Sequence, residues 1–139
     1  MTKTFAAVLA ISLMLLSLIS CNTSQGVTLS VSLTGQPDGG QTTVGSTLEL
    51  DPAVYYRGTA TALNLYYNVL SAPVGGIVTI TPRSQLVTVS GAGATITAST
   101  VSFSSPGTYV IQVVVQETGT GDLQAEDQTT FTVLPATNG

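Results

Sequence analysis

Histidine and tryptophan are absent from this 139-residue chain, cysteine occurs once, and charged side chains make up only 7% of it. Without histidine there is no Ser-His-Asp or Cys-His catalysis, no imidazole acid–base work and no His-ligated zinc. The one lysine is Lys3, so beyond residue 21 no Schiff base, Ser-Lys pair or lysine isopeptide cross-link can form. A single cysteine allows no disulfide within the chain. Residues 22–139 carry two cations, Arg57 and Arg83, against seven carboxylates, a net of −5. Neutralising phosphates needs clustered Lys or Arg, so nucleic acid is excluded as a partner. After residue 21 no apolar run approaches the roughly 20 residues of a membrane-spanning helix. The expectation is a protein that is not an enzyme and holds no cofactor or metal.

The first residues have three parts. Lys3 supplies a positive start, Phe5–Leu16 is apolar but for Ser12, and Ser17–Ser20 leads to Cys21. These are the proportions of a secretory signal. Leu18-Ile19-Ser20-Cys21 resembles the bacterial lipobox, at the right distance from the start and on the only cysteine. The resemblance implies cleavage before Cys21, diacylation of its sulfur and often acylation of the new amino terminus. Each buried CH₂ of an acyl chain contributes about 0.8 kcal/mol, and two or three chains hold firmly. Residues 1–20 are then a signal helix that is removed, 21–26 a lipidated tether, 27–135 the folded domain and 136–139 a frayed tail. The protein is expected on a bacterial membrane facing periplasm or exterior, with Asn22, in place of an Asp, pointing to the outer membrane. The plainer alternative is a secretory signal or uncleaved anchor with an incidental cysteine. Asn22-Thr23-Ser24 also matches a glycosylation sequon, which carries little weight beside an acylated residue.

Beyond the leader, period-2 alternation dominates. In VTLSVSL, Val27, Leu29, Val31 and Leu33 face one way. TLELD sets Leu48 and Leu50 against Glu49 and Asp51. LNLYYNVL puts Leu63, Leu65, Tyr67 and Val69 together, and IVTIT, LVTVS and ATITA are shorter strands. TYVIQVVVQE is apolar on one face, through Tyr109, Ile111, Val113 and Val115, and mixed on the other, which predicts a central strand. QTTFTVL closes the chain with Phe131 and Val133 inward. About seven or eight strands, with turn signals every 8–12 residues and no helical pattern, predict an all-β antiparallel sandwich of immunoglobulin type. A small barrel is the alternative.

Three stretches, VGSTLELDP, LNLYYNVLSAPVGGIVTI and STVSFSSPGTYVIQVVVQE, together resemble polycystic-kidney-disease-type (PKD-like) domains, a branch of the immunoglobulin-like sandwiches in bacterial surface proteins. The resemblance covers residues 44–133. It implies that Gly107 makes a tight turn and that Tyr109 enters the core and steadies the corner with its hydroxyl. It sets Tyr67 where the family commonly has Trp. The acidic cluster often seen after the first Asp is replaced by Pro52-Ala53-Val54-Tyr55.

Two other groups bear on function. Asp122, Glu126 and Asp127 are readable as a calcium loop or as a solvated acidic hairpin, the plainer reading since no ligand spacing supports the metal. SGAGAT lacks a following helix and lysine and reads as a hairpin turn, not a phosphate cradle. DPAVYYRGTA gathers Tyr55, Tyr56 and Arg57, the contact chemistry of binding hot spots; alternatively one tyrosine packs under the sandwich. Two functions follow as expectations. One is a surface lipoprotein whose domain serves as an adhesion, spacer or assembly module with a protein or glycan partner. The other is a carbohydrate-binding module using Tyr55, Tyr56 and Tyr66.

Overall fold

A computed structural model of the chain describes residues 28–34, 40–91, 93–119 and 123–138. Residues 1–27, with Cys21 and the expected signal and tether, and Asp122 lie outside the described residues. Two sheets face each other. The first holds β1 (Thr28–Thr34), β3 (Thr47–Arg57), β8 (Ser99–Phe103) and β5 (Val78–Thr81), in that order. The second is six-stranded, ordered β2 (Gln41–Thr43), β10 (Gln124–Leu134), β9 (Gly107–Glu117), β4 (Ala62–Ser71), β6 (Ser84–Ser90) and β7 (Gly93–Thr95). The described residues thus form ten strands, not seven or eight.

β9 lies between β10 and β4, and its composition explains the position. Tyr109, Ile111, Val113 and Val115 are buried against the other sheet, and Val114 on the opposite face is buried too. The core between the sheets joins Tyr109, Ile111, Val113 and Val115 to Leu50, Leu63, Leu65, Val87, Val101 and Phe131. Phe103 links two of its rings, with centroids 4.7 Å from Tyr109 and 5.3 Å from Phe131. Such tilted pairs suit the quadrupoles of the rings.

The pairing is not wholly antiparallel, because β2 runs parallel to β10. β1 pairs antiparallel with β3 in one sheet, and β2, an edge strand of the other, points the same way as β1. There it meets the end of β10, which also points that way.

β3 extends well past the TLELD stretch, running through Pro52 to Arg57. A proline inside a strand is tolerated where its missing N–H is not needed. The Leu33 N–H, opposite Pro52, points away from β3 and donates to Asp127 Oδ2 at 2.8 Å. Leu33 and Pro52 are therefore a non-hydrogen-bonded pair. The Pro52 nitrogen faces the other side, where pairing with β8 has already ended at Leu50–Ser99. Asp127, turned inward from β10, meanwhile satisfies an edge N–H of β1 and ties the two sheets together.

The registers give the sandwich two distinct ends. β1 starts opposite Arg57, the end at which β9 finishes and β10 begins. β10 finishes at the other end, beside Gly107, where β4 also finishes.

Candidate functional site

Strand parity separates the tyrosines and the arginine that the sequence brings together. On β3, Leu50, Pro52, Val54 and Tyr56 point inward, while Asp51, Ala53, Tyr55 and Arg57 point outward. Tyr55 is 47% exposed and shares the outer face of the four-stranded sheet with Arg57. Tyr56 is 1% exposed and belongs to the core. Its hydroxyl donates to Glu117 Oε1 and accepts from the Ala60 N–H at 3.0 Å, fastening the end of β3 to the end of β9. Burial, reinforced by the bond to Glu117, raises the Tyr56 hydroxyl above the ordinary phenol range. Tyr66 stands half-buried on the outer face of the other sheet. Tyr55, Tyr56 and Tyr66 thus take three directions and form no aromatic row.

Gly107, Tyr109 and Tyr67 act within the fold. Gly107 has φ +142, and a Cβ there would sit 2.8 Å from Pro73 Cγ, so no larger residue fits. Tyr109 is fully buried, and its hydroxyl donates to Ser105 O at 2.8 Å, four residues upstream. Tyr67 is buried as well, but its hydroxyl has no hydrogen-bond partner among the described residues. Burial raises this group too, with Ser99 working in the opposite direction. The Ser99 hydroxyl is itself committed to Pro82 O at 2.8 Å.

Of the three acidic residues, the described Glu126 and Asp127 point to opposite faces of β10. Glu126 is exposed on the outer face of β10, and Asp127 turns inward to Leu33. Among the described residues no three carboxylate, cysteine or histidine side chains come together as a metal site.

The outer face of the six-stranded sheet holds a feature that linear reading misses. Register aligns Leu86, Asn64, Gln116 and Gln124 in one row across four strands, and Ser84, Tyr66, Val114 and Glu126 in the next. A third row sets Asn68 beside Gln112 and Gln128. Asn68 Nδ2 donates to Gln112 Oε1 at 3.1 Å, and Gln112 Nε2 to Glu126 Oε2 at 3.2 Å. An open groove of about 520 Å³ lies where β4, β6 and β9 meet, lined by Asn64, Tyr66, Ser84, Leu86 and Gln116 with backbone between them. Leu86 is 64% exposed at its rim.

No protein-family model matches the chain, and no curated protein does. Among solved structures, the chain is similar to a conjugative transposon lipoprotein from Bacteroides eggerthii, with 14% sequence identity and a TM-score of 0.51. The match covers 74% of this chain and 95% of that one. At such identity the likeness bears on the fold alone; this chain is all-β, with two sheets in a sandwich-like arrangement.

Proposed function

We propose that this chain is a lipid-anchored, non-enzymatic module of the bacterial envelope, with an immunoglobulin-like sandwich carried on an acylated Cys21. The observation that carries the reading is the Leu18-Ile19-Ser20-Cys21 motif seven residues before the first strand. The structural neighbour is itself described as a lipoprotein of a conjugative transposon, which supports an envelope role in assembly or surface contact. The immunoglobulin-like assignment draws on Tyr109, whose hydroxyl returns to the backbone just before its own strand as in the tyrosine corner of such domains.

Geometry adds an orientation to this reading. An extended tether from Cys21 to Thr28 spans at most about 25 Å, and Thr28 lies at the Arg57 end of the sandwich. β10 has 11 residues and runs from that end to the other, about 35 Å. A lipid at Cys21 holds the Arg57 end near the bilayer and presents the Gly107 end outward, leaving both outer sheet faces accessible. An anchored two-sheet domain whose sequence lacks histidine and, beyond Lys3, lysine suits a presenting or assembling module better than a soluble binder. Fractionation tests it: wild-type protein is expected in the detergent phase, and Cys21→Ala as an unprocessed or soluble form. Wild-type protein in the aqueous phase would overturn the proposal.

A further inference from the structure

The tyrosine–arginine pair on β3 is too small to define a ligand, and the buried tyrosines have no access to solvent. The six-stranded sheet carries more. We infer that its outer face, at the groove between β4, β6 and β9, is a binding site for a neutral oligosaccharide. The inference goes beyond the anchoring role, and holds or fails independently of the lipid.

The chemistry of the face selects the ligand. Its outward positions on β4, β6, β9 and β10 bear no cation and one carboxylate, Glu126. A polyanion, whether nucleic acid or sulfated glycan, finds nothing there to neutralise it. Protein hot spots centre on Trp, Tyr and Arg in a dry pocket, whereas this face has one half-buried tyrosine in an open groove. What it has in number is carboxamide: Asn64, Gln116 and Gln124 in one row and Asn68, Gln112 and Gln128 two rows away, on either side of the Tyr66 row, with Asn64 and Gln116 lining the groove itself. A carboxamide offers donors and an acceptor side by side, which matches the vicinal hydroxyls of a sugar ring. The hydrogen-bonded run from Asn68 through Gln112 to Glu126 holds part of this array in place before any ligand arrives. Tyr66, between Asn64 and Asn68 on β4, supplies an aromatic body with a polar tip, and Leu86 adds an apolar rim for the C–H face of a pyranose. Neutral hydroxylated ligands are the class that uses all three features.

The test uses the full chain purified in detergent, titrated with neutral gluco-, manno- and xylo-oligosaccharides and with dextran sulfate as the polyanion control. Calorimetry gives affinity, and circular dichroism verifies folding of each variant. At least one neutral oligosaccharide is expected to bind. Tyr66→Ala should then weaken it about tenfold, the loss of a hot-spot side chain. Asn64→Ala, at an exposed position where misfolding is not expected, should weaken it severalfold. A Tyr55→Ala, Arg57→Ser double variant on the opposite sheet should leave it unchanged. The inference is overturned if no neutral sugar binds, if only dextran sulfate binds, or if affinity survives both Tyr66→Ala and Asn64→Ala. It is equally overturned if sedimentation shows this face buried between two copies of the chain.

Discussion

Replacing Tyr109 by Phe and replacing Tyr67 by Phe each removes one buried oxygen from the same core, yet only the first should lower stability. The Tyr109 hydroxyl donates to Ser105 O at 2.8 Å and lies 3.2 Å from Ser105 Oγ. Its loss takes away a net hydrogen bond of about 1 kcal/mol and leaves a part-buried carbonyl short of a partner, for a total of about 1–2 kcal/mol. The Tyr67 hydroxyl has no hydrogen-bond partner among the described residues, so the fold carries the desolvation of a polar group that those residues leave unpaired. Tyr67→Phe should therefore be neutral or stabilising by up to about 1 kcal/mol. At about 4–8 °C per kcal/mol for a domain near this size, the Tyr109→Phe melting temperature should fall several degrees below wild type while that of Tyr67→Phe stays level with it or rises. Thermal and urea unfolding followed by circular dichroism measure this, with an unchanged urea slope verifying that compactness is preserved. If Tyr67→Phe were as destabilising as Tyr109→Phe, Ser99 would be a true partner of Tyr67. If Tyr109→Phe were neutral, the corner would contribute nothing.

Two further predictions rest on the same geometry. Tyr56 and Tyr67 both have hydroxyls raised above the ordinary value of 10.0, through burial in each case and the Glu117 bond for Tyr56. The folded protein then holds protons that the unfolded chain releases, so this contribution is intact below pH 10.0 and is lost as pH rises through the folded values; a pH series of urea midpoints checks it, and a fall beginning near neutrality would contradict it. Asp127→Ala removes the charge-assisted bond to the Leu33 N–H and should cost about 1.5–3 kcal/mol, whereas Glu126→Ala, on the exposed face, should cost under about 0.5 kcal/mol.

β9 was legible because its alternation leaves so little polar surface that only a central position suits it. β3 was legible to Asp51 and no further, since Pro52 ordinarily ends a strand and the exemption here depends on β8 stopping at Ser99. Carrying the parity of Leu48 and Leu50 onward would have turned Tyr56 inward and left Tyr55 with Arg57, but the proline concealed that continuity. β2 is three residues, Gln-Thr-Thr, with no apolar period to detect. The groove was hidden for a different reason. Asn64, Leu86 and Gln116 are unremarkable polar or exposed residues on separate strands, and only cross-strand register lines them up.

The mature amino terminus is the most direct test of the anchored module. Intact-mass and peptide mass spectrometry of the protein from its membrane fraction should find residues 1–20 removed and Cys21 as the first residue, heavier by at least a diacylglyceryl group. A peptide that spans an uncleaved Ser20–Cys21 bond, or an unmodified Cys21 in the mature protein, would contradict the lipid anchor and with it the orientation derived for the sandwich.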